Sequence, residues 1–351
     1  MCHLAYHEIF GRNVVQKTIS LLGLEDALAY QEPRLLDQLR HENLVEVREA
    51  QWDPDQPEIR AITFTMPYYE GGSIYAALMD DYRFSIGEAV RIVCQILDAL
   101  HYLHADERLV HRDVKPGNVF LSPDKRKTFL GDLGSAARVD EKGFGEARAG
   151  TPLYLPPEYS RGLYSFAGDL YGTGMILLEL LNGRFKYEEI DGVELRARNE
   201  AGQRALKDKF YVPGPHVSGQ LYSIVRKMIN ARLEQRPADA QEAQRALRAA
   251  VHLDWRLSGQ AYSEESEEIE WLGHKEHSTK DKLRLYRVCA RRAGKKLPQD
   301  QFDLTAQWRN SESDPWRGIP SIATRASFAD VAAWRQFFKK VSDVAQRWAA
   351  K

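Results

Sequence analysis

Apolar residues recur at helical spacing through the middle of the chain. Ser85 and Glu88 have the form of a capping box, and apolar side chains follow them every three or four positions as far as Leu103. A later stretch, residues 175–181, is apolar on nearly every side. The pattern predicts an amphipathic helix after Ser85 and a second helix, opened by Asp169, that is buried on all sides.

Shorter apolar runs separated by turn residues predict a hairpin and a last helix. Residues 119–121 and 128–130 lie on either side of a Pro-Asp-Lys turn, so we expect them to pair. Near the C-terminus, residues 327–330 have the form of a helix cap. Trp334 and Phe338 recur on one face of the segment that follows, and this face is expected to pack on a core.

Three polar segments lie among these elements, and their residues suit one kind of chemistry. Residues 111–118 read HRDVKPGN, residues 132–134 read DLG, and residues 150–158 read GTPLYLPPE. Carboxylate and amide oxygens suit Mg²⁺, lysine balances the charge of a phosphate, and an aspartate can orient a hydroxyl or accept its proton. Together the segments predict a site that moves a phosphoryl group.

In this order and at these spacings, the segments resemble the catalytic core of eukaryotic-like (Hanks-type) Ser/Thr protein kinases. The resemblance covers about residues 4–251 and implies transfer of the γ-phosphoryl group of ATP to a protein hydroxyl, with Mg²⁺ as cofactor. It implies that Asp113 is the catalytic base and that Lys115 contacts the transferring phosphate. Asn118 and Asp132 are the expected Mg²⁺ ligands. A lysine at position 115 also indicates Ser/Thr rather than Tyr specificity.

The resemblance further implies roles for residues that hold the site together. Asp169 is expected to anchor the backbone of the catalytic loop, and Arg236 is expected to pair with Glu158. Thr151 is expected to contact the catalytic aspartate and lysine, which makes it a specificity element.

Arg112 precedes the catalytic aspartate, and in the family such an arginine often binds a phosphate on the activation loop. Between Leu133 and Gly150 the sequence has Ser135 as its one hydroxyl residue but three carboxylates. A carboxylate is therefore expected to meet Arg112 without any modification. The resulting hypothesis is constitutive activity, to be abandoned if phosphate on Ser135 or Thr151 proves necessary for turnover.

In the N-terminal part, residues 14–17 resemble the strand whose lysine, here Lys17, contacts the α and β phosphates. Its expected partner is Glu32, nine residues before His41. The family pairs these charges in its active geometry, while the alternative is that both are surface charges. Pro33 departs from the pattern because proline suits only the first turn of a helix, so the helix is expected to begin at Glu32.

Residues 62–73 resemble the strand and hinge that receive adenine. Met66 is expected behind the adenine pocket. The hinge is expected to use the carbonyl of Pro67 and the N–H of Tyr69. Proline is tolerated at position 67 because only its carbonyl is required.

The glycine-rich loop of the family is the main departure. It normally precedes the lysine strand and covers the phosphates, but here sixteen residues precede Lys17 and the first glycine is Gly11. The first strand and most of the loop are expected to be absent. Three explanations stay open: a start codon assigned too late, a trimmed chain, or ATP binding with a partly open phosphate site.

An active kinase remains the favoured interpretation because every catalytic side chain outside the loop is present. The first alternative is a pseudokinase scaffold that binds a partner through the C-terminal region. The second is a kinase of small molecules, which residues 151–158 disfavour because they preserve the segment that seats a peptide.

Length and composition agree with a kinase domain and one further module. The chain has 351 residues and a net charge of -1, which gives no sign of a nucleic-acid or membrane partner. Cys2, Cys94 and Cys289 follow no ligand spacing and indicate reduced thiols, hence a cytoplasmic location. No apolar run approaches the length that crosses a bilayer. The protein substrate is not indicated.

The expected fold is α+β and bilobal, with a truncated small β-rich N-lobe, a large helical C-lobe and a mostly helical C-terminal extension. The expected divisions are a kinase-like domain over residues 1–256, with lobes at 1–68 and 69–256, an acidic linker at 257–270 and a Trp-rich accessory region at 271–351.

Six of the seven tryptophans lie from Trp255 onward, too many for a disordered tail. This C-terminal region carries no recognised family motif and is expected to regulate the kinase or dock a partner. Its basic cluster, within residues 280–296, is expected to be a solvated helix face rather than a nucleic-acid site.

Overall fold

The computed structural model describes residues 2–20, 31–52, 61–146, 150–258, 262, 264–278, 282–294, 298 and 300–350. Within them the chain forms an N-terminal β-sheet lobe, a mostly helical lobe, and a second β-sheet followed by a long helix. The expected bilobal α+β architecture is confirmed. None of the helices in these ranges has both the length and the apolar character needed to cross a membrane.

The N-terminal lobe is built on a four-stranded antiparallel sheet with the strand order β1-β2-β4-β3. The strands are β1 (Cys2–His7), β2 (Arg12–Ser20), β3 (Glu49–Trp52) and β4 (Ala61–Pro67), and helix α1 (Gln31–Gln38) lies between β2 and β3 in the chain. The β1–β2 turn places Gly11 at φ +61°, a conformation that glycine adopts without steric cost.

The helical lobe packs around one buried helix. Its helices are α2 (Ile74–Met79), α3 (Ile86–His101), α4 (Phe166–Asn182), α5 (Gly192–Glu200), α6 (Gly219–Met228) and α7 (Ala240–Ala249). Both helix predictions in this lobe are confirmed. Ser85 and Glu88 form a reciprocal capping box at the start of α3, and α4 is buried throughout residues 168–181.

Three short antiparallel strand pairs carry the polar segments of the helical lobe. They are β5 (Leu109–Val110) with β8 (Ala137–Arg138), β6 (Val119–Leu121) with β7 (Thr128–Leu130), and β9 (Phe144–Glu146) with β10 (Leu163–Ser165). The predicted hairpin is therefore confirmed as β6–β7. It brings the residues that precede β6 and those that follow β7 to the same end of the pair.

A six-stranded antiparallel sheet and one helix make up the C-terminal part. The elements are β11 (Asp254–Ser258), β12 (Glu268–Glu276), β13 (Leu283–Arg292), β14 (Gln301–Arg309), β15 (Arg317–Gly318), β16 (Thr324–Ser327) and α8 (Val331–Ala349). The predicted last helix is confirmed: Asp330 caps it, and Trp334 and Phe338 are among its buried residues.

Three expectations for this region are wrong. The extension is not mostly helical, because burial alternates with a period of two along β12, β13 and β14, as in strands with one face on a core. The basic cluster expected on a helix lies partly on β13. The segment 257–270 is not a linker between domains, since Ser258 in β11 pairs with Glu270 in β12. Its acidic stretch connects two strands of one sheet.

Strand β11 ties the C-terminal sheet to the start of α3. Asp254 Oδ1 accepts a hydrogen bond from the N–H of Gly87 at 2.5 Å. Arg256 donates to the carbonyl of Arg83 and to the carboxylate of Glu88, each at 2.9 Å. The C-terminal sheet therefore acts as part of the cap of a helix in the kinase-like lobe.

A second contact between the two parts is apolar. His216, in the loop before α6, is buried with its ring centre 6.1 Å from that of Trp271 and 6.2 Å from that of Phe338. Burial lowers the pKa of His216 to about 4, so the imidazole is neutral at physiological pH.

Candidate active site

The loop between β5 and β6 is fixed to α4 by one buried carboxylate. Asp169 accepts hydrogen bonds from the N–H groups of His111 at 2.8 Å and Arg112 at 2.9 Å. His104 Nε2 and the Tyr164 hydroxyl also bond to it, at 2.8 Å and 3.1 Å. Burial alone would raise the pKa of Asp169, but His104 and His111 outweigh burial and lower it. Asp169 thus anchors the backbone of the loop between β5 and β6, the structural role that the resemblance implies.

Three of the predicted site residues meet around the carboxylate of a fourth, Asp113. Lys115 Nζ donates to it at 2.7 Å, and Asn118 Nδ2 donates at 3.0 Å. Thr151 donates through both its hydroxyl, at 3.0 Å, and its N–H, at 3.1 Å. Lys115 also donates to the Thr151 hydroxyl at 2.8 Å. The network holds the aspartate in one orientation at the mouth of the loop.

Asp132 follows the β6–β7 hairpin and adopts the left-handed φ of +62°, a strained backbone of the kind that clusters at functional sites. Lys17 Nζ, from β2 in the other lobe, donates to Asp132 Oδ1 at 2.8 Å. Burial would raise the pKa of Asp132, but the charge and hydrogen bond of Lys17 outweigh it and lower the pKa. The carboxylate is therefore ionised, as a metal ligand must be.

The sequence predicts Glu32 as the partner of Lys17. The backbone of Glu32 lies in α1, but its side chain lies outside the described residues. The Lys17–Glu32 ion pair stays a prediction.

The oxygen atoms of Asn118 and Asp132 fit a Mg²⁺ ion. Because Asn118 Nδ2 donates to the main-chain carbonyl and the carboxylate of Asp113, its Oδ1 oxygen is left without a donor in the part of the chain that the structure describes. No group of three or more His, Cys, Asp or Glu side chains in the described ranges could hold a metal. Mg²⁺ needs no such group, since it takes one or two protein oxygens beside phosphate and water.

One row of side chains crosses the N-terminal sheet on the face that is directed toward the helical lobe. Leu4 pairs with Val15, and Val15 pairs with Met66. Val15 and Lys17 are two residues apart on one strand and share a face, and Lys17 reaches Asp132 across the cleft. Leu4 is 57% exposed and offers an apolar ceiling.

Leu4 and Val15 were not among the predicted site residues. Val15 lies two residues before Lys17 and so shares its face of the strand, and Leu4 pairs with Val15 across the sheet. The second step needs the register of β1 against β2, which the sequence does not reveal. Met66 was predicted for the back of the adenine pocket, and it lies in the same row.

The expected hinge joins β4 to α2. Pro67 ends β4, and the Tyr69 ring stacks on Phe120 at 5.6 Å and lies 4.4 Å from Phe129. The main-chain N–H of Tyr69 bonds to no group within the described ranges, so it can serve as the expected donor. Phe120 is partly buried between two buried neighbours on β6 and faces away from the core, toward this cleft. It is a further residue that the sequence analysis missed.

Arg112 joins the loop between β5 and β6 to the chain that follows Asp132; we call its residues 132–146 and 150–158 the activation segment. Its guanidinium donates to the main-chain carbonyl of Glu146 at 2.6 Å and to that of Ser135. The prediction was a carboxylate partner, whereas these two bonds go to carbonyl oxygens. Arg112 is buried, so each bond is shielded from water. The segment is therefore tied to the loop at residues 135 and 146 without a phosphate.

The end of the segment is tied down by a buried ion pair. Arg236 donates from both terminal nitrogens to the carboxylate of Glu158, each at 2.7 Å. Arg236 also donates to the carbonyls of Ala167 at 2.9 Å and Asn230 at 2.8 Å. The predicted partners are thus together, in the two-pronged geometry that only arginine provides.

A mainly apolar groove of about 590 Å³ opens beside Lys115 and Thr151. Its walls include Tyr75, Leu153, Tyr154, Tyr187, Ile190 and Leu195. Under the groove, Glu179 is fully buried and accepts hydrogen bonds from the hydroxyls of Tyr154 and Tyr187. Burial raises the pKa of Glu179. The groove is therefore a preformed apolar site next to the Asp113 network.

Comparison with known proteins agrees with this geometry. A family model described as the protein kinase domain matches residues 2–249. The chain is 30% identical to serine/threonine-protein kinase Nek4 of Mus musculus over 244 residues. The aligned residues make up 67% of this chain and 29% of that protein. The chain is 29% identical over 238 residues to probable serine/threonine-protein kinase nek2 of Dictyostelium discoideum, covering 65% of this chain and 54% of that protein.

A third relative is a plant protein. The chain is 32% identical over 215 residues to probable serine/threonine-protein kinase WNK8 of Oryza sativa subsp. japonica, covering 59% of this chain and 33% of that protein. The chain thus spans between 29% and 54% of the lengths of these relatives. The family model ends before the C-terminal sheet, which is assigned to no family.

Proposed function

Since the chain belongs to the protein kinase family, we propose that it transfers the γ-phosphoryl group of ATP to a serine or threonine hydroxyl of a protein. The observation that carries the proposal is the Asp113 network. One carboxylate is held by Lys115, Asn118 and Thr151 at hydrogen-bonding distance, and Asp132 lies at the end of the adjoining hairpin.

Asp113 orients the acceptor hydroxyl and accepts its proton late in the transfer, when the oxygen has become acidic. The hydrogen bonds from Thr151 fix the rotamer of the carboxylate, which keeps it aimed at the incoming oxygen. Lys115 turns its charge to the transferring phosphoryl group. Because its Nζ is already beside Asp113, it needs little reorganisation to do so.

Lys17 would hold the non-transferred phosphates, and Leu4, Val15 and Met66 would cover the adenine from the sheet side. Mg²⁺, when bound with ATP, neutralises the charge that develops on the phosphates. Asn118 and Asp132 are the residues that would hold the ion. Lys17 is expected to leave Asp132 for the phosphates when nucleotide binds.

The groove beside Thr151 suggests which proteins are accepted. A peptide whose hydroxyl meets Asp113 would place its next side chain against Leu153, Tyr187 and Leu195. An apolar side chain there would bury its surface without leaving a polar group unpaired. We therefore propose that the acceptor residue is followed by an apolar residue. A cytoplasmic location stays a prediction.

The test is transfer of labelled phosphate from ATP with Mg²⁺ to the chain itself and to a generic basic protein. Asp113→Ala should lower the rate by about 10²-fold or more, since a positioned acid or base contributes that much. Asp124→Ala is the matched control, because Asp124 is an exposed carboxylate in the β6–β7 turn.

Activity in the parent chain that survives Asp113→Ala would refute the assignment of Asp113. No transfer by either protein would refute the kinase proposal for this chain and favour the pseudokinase scaffold. Repeating the assay with an upstream-extended chain then separates a scaffold from a kinase that lacks its glycine-rich loop.

A further inference from the structure

Arginines and tryptophans are interleaved at one end of the C-terminal sheet. The guanidinium carbons of Arg287 and Arg309 lie 4.7 Å and 4.5 Å from the ring centre of Trp316. Those of Arg284 and Arg317 lie 4.0 Å and 5.2 Å from the ring centre of Trp308. Because side chains alternate along a strand, Arg284, Trp308 and Arg317 lie on the face toward α8, where Arg284 also stacks on Trp348, and Arg287 and Arg309 lie on the opposite face. We call the second set, Arg287, Arg309 and Trp316, the arginine–tryptophan patch.

The patch brings together two positive charges with few partners. Arg309 donates to the carbonyl of Glu312 at 2.7 Å, while its buried Nε has no acceptor within the described ranges. Since a guanidinium has five N–H donors, most donors of Arg309 remain available.

Arg287 is the best-paired member of the patch. Its Nε and one terminal nitrogen donate to Gln307 Oε1, and its other terminal nitrogen lies 3.8 Å from the carboxylate of Glu270. Glu270 is therefore the one carboxylate within ion-pair distance of the patch among the described residues. The patch keeps a net positive charge.

We propose that the arginine–tryptophan patch binds a segment of a partner protein that carries phosphoserine or phosphothreonine. Arginines stacked on indoles hold their planar donor groups in place, which reduces the entropy lost on binding. The guanidinium carbons of Arg287 and Arg309 can be at most about 9 Å apart, a gap that one phosphate bridges with a charge-assisted hydrogen bond of about 2.8 Å on each side. A carboxylate is smaller and carries one charge rather than nearly two.

Single-stranded nucleic acid fits the patch less well. Such strands bind by stacking bases on open aromatic faces, and here the Trp316 ring already has two arginines over it. Base stacking would have to displace those arginines. A phosphate group instead uses the N–H edges that the stacking leaves accessible.

The inference rests on the proposed kinase function in one respect: a kinase reaction supplies the phosphoserine or phosphothreonine that the patch would bind. Recognition itself needs no catalysis. The binding test is therefore run without ATP, so that loss of kinase activity cannot affect its outcome.

The experiment measures fluorescence anisotropy of the full chain with a labelled peptide pool that has one central phosphoserine and degenerate flanks. The same pool with serine is the reference. We expect the phosphoserine pool to bind at least tenfold more tightly. Arg287→Lys with Arg309→Lys keeps both charges but removes the planar donors, and should weaken binding roughly tenfold. Arg325→Lys is the matched control, because Arg325 pairs with Asp303 at 2.7 Å outside the patch.

A second variant guards against simple unfolding. Glu270→Gln removes the carboxylate that competes for Arg287 and should tighten binding of the phosphoserine pool several-fold, an effect that damage to the fold would not produce. Equal binding of the two pools would overturn the proposal, as would equal weakening by Arg325→Lys. Competition by a 12-nucleotide single-stranded DNA at the same concentration as the phosphoserine pool would assign the patch to nucleic acid instead.

Discussion

Glu158→Gln tests the buried ion pair that holds the end of the activation segment. Arg236 and Glu158 have side chains that are 0% and 7% exposed, so water cannot replace the lost carboxylate charge. The substitution leaves the arginine buried with only carbonyls and one amide oxygen as acceptors. Breaking such a pair by removing one partner typically costs about 3–5 kcal/mol of unfolding free energy.

The assay is urea unfolding of the parent and the variant, followed by tryptophan fluorescence and by circular dichroism. Agreement between the two signals establishes whether one transition describes the unfolding. Glu234→Gln is the control, because Glu234 is exposed and lies two residues from Arg236 in the chain. It should change the unfolding free energy by less than about 0.5 kcal/mol.

A double variant separates the cost of an unpaired charge from the value of the pair. Glu158→Leu with Arg236→Met removes both charges, and buried pairs replaced by apolar residues of similar size often lose little stability. The carbonyls of Ala167 and Asn230 lose a donor, which adds about 1 kcal/mol each. The reasoning is refuted if Glu158→Gln costs less than about 1 kcal/mol, or if the double variant costs the sum of both single variants.

The remaining predictions concern regulation, pH and the contact between the two parts of the chain. Ser135→Ala in phosphatase-treated protein should retain phosphate-transfer activity within about twofold, because Arg112 already bonds the segment through main-chain carbonyls; a larger loss would show that phosphate is needed. The pKa of His216 is about 4 in the folded chain and about 6.5 when the side chain is exposed, so the unfolded chain binds the proton at a higher pH. The free energy of unfolding should therefore fall as the pH drops from about 6.5 to about 4, by up to about 1.4 kcal/mol per pH unit. His216→Gln should flatten that slope in urea midpoints measured across this range, and an unchanged slope would contradict the assignment. Asp254→Ala should cost about 1 kcal/mol through loss of its cap on α3, whereas Asp106→Ala, beyond the far end of that helix, should not.

The grouping of residues around Asp113 could be predicted because it depends on residue type at short, fixed spacing. Residues 111–118 form one loop, so Asp113, Lys115 and Asn118 are close in space whatever surrounds them. The capping box at Ser85 and the apolar stripe of α8 were readable for the same reason, since a helix repeats within a few residues.

The strands of the C-terminal part were not predicted, although β12, β13 and β14 are nine to ten residues long, because the charged residues in this region were attributed to a solvated helix face. Arg287 belonged to the basic cluster that was expected on a helix face, and Arg309 was not singled out. Only the register of β13 against β14 brings both to Trp316. The apolar ceiling of the cleft was missed in the same way, since Leu4 and Val15 meet only through the β1–β2 register.

The sequence by itself determined the helices, the hairpin and the chemistry of the loop around Asp113, because those depend on contacts within about a dozen residues. The tertiary structure decided which distant groups pair. Lys17 meets Asp132 across 115 residues, and Asp254 caps α3 across 167 residues. No local periodicity encodes such contacts, since each depends on how sheets and helices pack once their apolar faces are buried.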